Sequence, residues 1–424
     1  MSSKMIVVFC LMLAGALLLI APQESQAIPA WSRLTGSTCN SCHATPTWQL
    51  TPFGLSFLRN GHRLEAAPAK FDIDSQKWDN YLSLVWKFRA YDEEEKNPAS
   101  QLEQHSFSLY TGGALSDRFS FFTEMYFSEN TGKTAEGTDF TPPAVDATDG
   151  VVQEDGSRKK LAEAFLQYNQ PIGEGFVAVR AGEILPEIIH VFGAGARSAE
   201  QRALVLNDKA NSANPYKPFN RQQGFDVKLN MEPVEIAAGV VNGSDYTNSI
   251  DSNNHKDWFA SALLAFDKNE SALGLYHYDG KYTKYTVVGD ATTAIDYDNN
   301  FTRDGVLFRF LRSNWRVVGA YFIGKEITDA AGTKTDNEGY YGLVDFNFSD
   351  KFGVFARYDM LDPNADVGGN ETTQYMFGLN GMFYMTAKSG ARWNIELTNK
   401  ETPISGTTPA ARVNRALLQL TWAF

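Results

Sequence analysis

The chain has 424 residues, 43% of them hydrophobic and 13% aromatic, with a formal net charge of −12. The length is ample for a large core, and the acidic balance argues against a nucleic-acid partner. It suits a soluble surface or cation-attracting loops and does not by itself name a substrate.

Residues 1–27 read as a secretory signal peptide. Lys4 supplies a positive start, Met5 to Ala21 is a nearly unbroken apolar run, and Ser25-Gln26-Ala27 resembles a small-residue cleavage site. The mature chain would then start at Ile28. The apolar run is short for a membrane-spanning helix. Cys10 would leave with the signal, so the mature chain keeps only Cys39 and Cys42, both in one motif. No cysteine remains elsewhere for a disulfide framework.

Residues 28–79 form the next unit, and its chemistry sits in TGSTCNSCHATPTW, Thr35 to Trp48. Cys39, Cys42 and His43 fit C-x-x-C-H, the attachment pattern of a c-type haem. Two thiols three residues apart can each add to one vinyl group of the same haem, and the adjacent imidazole can turn onto the iron as proximal ligand. The covalent links hold the group without a large apolar pocket, which suits so short a segment. The rivals are weaker. A thioredoxin-like C-x-x-C needs a βαβ context, zinc needs four good ligands, and a structural disulfide leaves His43 unexplained. For the sixth iron position, no Met occurs between His43 and Met125. His62 in NGHRL is the nearest candidate, against a plain reading as a solvated loop histidine. An inward fold of the long 184–220 connection would add His190, and an open sixth site is the remaining option. His105 and Met125 fall on lipid-facing registers beside Phe107 and Phe127.

From residue 80 to 424 the chain repeats one unit, about ten alternating residues and then a turn, as transmembrane β-barrels do. The pattern predicts an all-β, sixteen-stranded antiparallel outer-membrane barrel, an even number as in single-chain bacterial barrels. The strands fall at 80–91, 103–113, 117–127, 159–170, 174–183, 221–230, 233–242, 256–267, 270–281, 301–312, 314–325, 338–348, 351–361, 372–383, 388–398 and 413–424. In RALLQLTWAF, Ala416, Leu418, Leu420, Trp422 and Phe424 share one face, and the terminal Phe resembles the sorting signal of bacterial outer-membrane proteins. Short connections (114–116, 231–232, 268–269, 349–350) alternate with long ones (128–158, 184–220, 282–300, 399–412), which places both termini on the periplasmic side of a Gram-negative outer membrane. Lys87, Arg89, Glu124, Glu163, Arg180, Asp226, Lys228, Arg309, Asp345, Arg357, Asp359, Arg392 and Glu396 oppose the apolar stripe and should line the lumen. No dinucleotide loop, nucleophile elbow or metalloprotease motif is present; GAGARS at 193–198 lacks the third glycine.

With these residues in hand, the chain resembles the fused outer-membrane monohaem cytochrome c–porins of iron-oxidising bacteria. The resemblance rests on the signal, the single C-x-x-C-H near the mature N-terminus, Pro52-Phe53-Gly54, Asn60-Gly61 and a barrel ending in Phe. It departs at Leu55 and His62, where the family carries a basic and an aromatic residue. A distal His lowers a haem potential relative to Met, which would suit a different donor or electron export. The resemblance implies an iron(II):cytochrome c oxidoreductase activity, in which an extracellular Fe(II) donor gives one electron through one covalent haem c to a periplasmic cytochrome. Because the hydrocarbon core is about 30 Å thick, a haem at the barrel mouth or in the lumen would act as a relay, and residues 28–79 would borrow the barrel wall as their missing core. Acidic residues of loop 128–158 (Glu129, Glu136, Asp139, Asp146, Asp149, Glu154, Asp155) could attract divalent cations or merely solvate the loop beside outer-membrane lipid. Two other functions remain open: a diffusion porin whose plug is stapled by haem, and a conduit exporting electrons.

Overall fold

The computed structural model describes residues 29–35, 37–63, 81–94, 99–129, 160–210, 214–243, 253–267, 271–288, 291–385, 389–403 and 411–424. The expected signal peptide, residues 64–79 and nearly all of the acidic 128–158 connection lie outside them. Sixteen antiparallel strands close into a barrel. In chain order they are β1 (Leu82–Glu93), β2 (Ser100–Ala114), β3 (Phe119–Glu129), β4 (Lys160–Ile172), β5 (Gly175–Ile184), β6 (Gln222–Met231), β7 (Val234–Val241), β8 (Asp257–Phe266), β9 (Ser271–Val288), β10 (Ala291–Arg312), β11 (Trp315–Ile327), β12 (Lys334–Ser349), β13 (Phe352–Asp362), β14 (Thr372–Met385), β15 (Gly390–Thr402) and β16 (Ala411–Ala423). Each pairs with its sequence neighbours, and β16 closes on β1 with Trp422 opposite Trp86. Closure leaves no unpaired edge, which a sheet in hydrocarbon requires.

The period of two sorts the side chains. Leu166, Phe225, Ile236, Leu275, Phe377 and Leu397 are each about half exposed on the outer wall, an apolar band of the kind that faces lipid. The charged residues expected in the lumen are there: Arg89, Glu124, Arg180, Asp226, Asp345, Asp359 and Glu396 are all buried. One expected face changes. A bulge between Lys87 and Phe88 opposes Gln104 and Ser106 and leaves His105 unpaired. Its imidazole Nδ1 turns to 3.3 Å from buried Glu103, because the extra residue breaks the alternation. The 282–300 connection, expected as a loop, is instead a continued hairpin of β9 and β10; its β-branched and aromatic residues propagate the ladder past the wall.

Short turns gather at one end, together with both ends of the barrel chain. Two segments fold into the lumen behind them. The 185–221 connection after β5 folds inward as α4 (Glu187–Ile189), a π-turn (His190–Ala194) and α5 (Leu204–Asn207). Ile188, Ile189, Phe192, Leu204 and Leu206 are at most 1% exposed. They share one apolar cluster with Leu55 of the N-terminal segment and Phe122, Phe165 and Phe355 of the wall. The segment before β1 supplies α1 (Pro29–Thr35), α2 (Cys39–Cys42) and α3 (Pro52–Arg59). It enters at the short-turn end, where the Ala30 N–H donates to Ser83 Oγ (2.7 Å), Asn347 donates to the Thr45 carbonyl (2.8 Å), and Arg63 donates to the Asp117 carbonyl in a short turn.

Candidate functional site

Two local devices in the N-terminal segment aim the candidate ligands. In the first, α2 is a single turn that places His43 at its C-cap, the backbone N–H bonding back to the Cys39 carbonyl. Residues 43–44 then pair with 49–50, and the turn between them folds back. That return brings the Trp48 carbonyl 2.9 Å from His43 Nδ1 and stacks the Trp48 ring on the imidazole at 4.4 Å and 12°. Nδ1 donates to the carbonyl, so Nε2 keeps its lone pair, the arrangement by which proteins fix a metal-binding tautomer. Burial holds the imidazole at about 4, well below its usual range, against the pull of the Trp48 carbonyl and with help from Arg392. His43 is therefore neutral at physiological pH.

The second device ends α3. Thr51 caps the start, its Oγ1 accepting from the Gly54 N–H at 3.1 Å, with Pro52 at the first helical position. At the other end the His62 N–H bonds to the Phe57 carbonyl (2.9 Å) and the Gly61 N–H to the Leu58 carbonyl (3.0 Å). This is the two-bond helix stop that needs a left-handed residue, supplied by Gly61 at φ +73°. His62 follows at φ +63°, uncommon for a residue with a side chain. Its ring is held between Trp31 (4.6 Å) and Phe122 (4.3 Å). His62 is 6% exposed and its Nδ1 has no hydrogen-bond partner among the described residues. Burial drives its imidazole well below the ordinary range, reinforced by His190, Arg180 and Lys228.

Cys42, His43, His62 and His190 line one cavity of ≈250 Å³ between the N-terminal segment and the inward connection. His43 approaches it from the sector of β14 and β15, where Arg392 lies 5.1 Å from the Trp48 ring. His62 approaches from the sector of β3 and β4, against Phe122 and Phe165. Trp31, Trp48, Leu50, Phe57 and Leu58 make the walls between largely apolar. Cys39 is not on the cavity surface. It is 1% exposed and packs with Met382 and Met385, with Cys42 against the same cluster. Both cysteines are free, burial raising the Cys42 thiol to about 12 and that of Cys39 higher still. Gly54 lets α3 lie directly on α2, since a Cβ there would fall 2.1 Å from the Cys42 carbonyl oxygen.

Charged side chains tie the two segments to the wall. Arg59 pairs with Glu235 of β7 (2.8 Å), and Glu187 of α4 pairs with Lys228 of β6. Arg180 binds both Asp226 and the Leu185 carbonyl. Arg392 pairs with Glu200, and Ser198 donates to Asp345 at 2.6 Å. Trp31, Trp48 and Glu200 were not singled out from the sequence. Trp48 carries a local signal, an aromatic five residues after His43 in a Pro-containing turn; Trp31 and Glu200 reach the site only through the fold.

No protein-family model and no curated protein matches the chain. Solved structures do match the barrel. An anion-selective porin from Comamonas acidovorans superposes with a TM-score of 0.54 at 11% identity, over 81% of this chain and 98% of that one. The outer membrane channel DcaP of Acinetobacter baumannii gives 0.52 at 11%, over 81% and 96%. OmpF of Salmonella typhi, in complex with daunomycin, gives 0.52 at 11%, over 82% and 99%. At such identity the likeness establishes the fold, which is that of the outer-membrane porins.

Proposed function

We propose that the protein is an outer-membrane electron relay with one covalent haem c, attached at Cys39 and Cys42 and ligated by His43 and His62. Its donor is extracellular Fe(II), which leaves as Fe(III), and its acceptor is a periplasmic cytochrome that takes up the one electron released. The short-turn end, with both termini, faces the periplasm. The observation that carries this reading is the single cavity onto which Cys42, His43 and His62 converge from separate sectors of the wall.

The residues fit the group. His43 Nδ1 is occupied by a backbone carbonyl, which leaves Nε2 for iron. His62 Nδ1 is buried without a hydrogen-bond partner among the described residues, a cost of about 1–3 kcal/mol that a structural histidine would avoid. Cys39 and Cys42 sit at i and i+3 of one helical turn, neighbouring positions on one helix face. When bound, the haem supplies a one-electron couple. The chain's own residues set its surroundings: Trp31, Trp48 and Phe57 exclude water, and the Schellman turn at Gly61 fixes where His62 stands.

Haem staining of a denaturing gel tests attachment: a band is expected, and Cys39→Ala with Cys42→Ala should abolish it. Redox titration of the purified protein with Fe(II) as donor should then reduce the haem stoichiometrically. A protein with stained haem that Fe(II) leaves oxidised removes the donor assignment and favours outward export. His62→Ala should convert a low-spin spectrum to high-spin and open the reduced haem to carbon monoxide. Unchanged spectra in that variant would transfer the sixth position to His190 or to no protein ligand.

A second reading, a diffusion porin with a plug, is favoured by the barrel's likeness to channels. The two segments folded into the lumen weigh against it. Planar-bilayer conductance separates the two, a relay passing few ions and a porin many.

A further inference from the structure

Charged side chains line the cavity on both sides, and two of them give a bound haem a direction. On the His62 side, Arg221 meets Glu124 and Glu163, Arg180 meets Asp226, and Arg59 and Lys228 meet Glu187 and Glu235. Four cations there face five carboxylates. The His43 side carries further cations. Glu200 pairs with Arg392 and lies 3.8 Å from Lys87, its backbone N–H donating to Glu396, while Arg89 stands opposite Glu103 across β1 and β2.

Two of these cations are placed to meet a ligand. Lys87 and Arg392 both line the cavity with His43 and Cys42. Lys87 Nζ is 3.8 Å from Glu200, a loose contact, and its side chain is 25% exposed. Arg392 engages Glu200 through Nη2 alone, while its Nη1 is buried and has no hydrogen-bond partner among the described residues. Resting on the haem reading above, we propose that Lys87 and Arg392 bind the two propionate carboxylates of the haem. The dianionic edge then lies toward β1 and β15 and the apolar remainder toward Trp31 and Phe57. Two cations match the two propionates in number, and the guanidinium of Arg392 suits a carboxylate in geometry as well as sign.

Resonance Raman of the haem-loaded protein reads the propionate bending mode directly, and potentiometry reads the charge. Arg392→Gln and Lys87→Gln should each shift that mode. Each should also favour the ferric form about tenfold, a fall of about 59 mV for a one-electron couple. Arg221→Gln, on the opposite wall, should leave the mode in place. An unshifted mode in Arg392→Gln and Lys87→Gln with haem still stained on a gel, or a shift in Arg221→Gln alone, overturns the assignment. Should Arg392→Gln fail to fold, Lys87→Gln at its partly exposed position decides the matter. A wild-type protein without stainable haem would instead refute the underlying reading.

Discussion

The wall and the plug obey different rules. Every wall strand pairs with its two neighbours, and the barrel closes on itself. The plug, residues 29–63, has three short helices and a two-residue ladder, too little to form a core alone. Its apolar Leu55 is buried because the wall and the inward connection cover it. Such a side chain contributes about 1.5–3 kcal/mol only while docked. A wall can thus be read by local period, whereas a plug is defined by what it is pressed against.

Cutting the plug's charged anchor should separate the two regions most strongly. Arg59→Ala leaves Glu235 buried without its 2.8 Å partner, and losing one member of a buried pair costs about 3–5 kcal/mol. Protease cleavage within residues 29–63 should become fast while the barrel keeps its heat-modifiable gel mobility; joint loss of both would mean that plug and wall fold as one unit. Gly54→Ala should act less, about 1–3 kcal/mol by overpacking, because its Cβ would strike the Cys42 carbonyl. Less haem per barrel at unchanged barrel yield is expected, and normal haem content would show that α3 can slide.

The smallest effect concerns pH and the inward connection. Burial raises the Glu200 carboxyl, but Arg392, Lys87 and Arg197 outweigh it and hold the group well below the usual 4.5. A depressed carboxylate stabilises the docked state fully above its ordinary pKa. It loses that contribution as pH falls below about 4.5, where the undocked state binds a proton and the docked state does not. Protease resistance of the 185–221 connection should therefore decline below that pH in the wild type, and Glu200→Gln should flatten the decline. An unchanged slope in that variant would place the acid sensitivity elsewhere.

Amino-acid order alone carried the sixteen strands, their inward and outward faces and the C-x-x-C-H motif. Each depends on spacing within a few residues: two for a strand, three for the thiols. Where a strand gains a bulge, as at His105, the local rule fails, because the extra residue is absorbed by a partner strand that the order does not name. The long β9–β10 hairpin escaped for a related reason, since two strands can go on pairing with each other beyond their other neighbours. The meeting of His43, His62 and His190 was decided by tertiary structure. So was the company of Lys87, Glu200 and Arg392, whose positions span more than three hundred residues. Buried charges and imidazoles answer to three-dimensional neighbours, and barrel closure makes neighbours of residues that the chain keeps far apart.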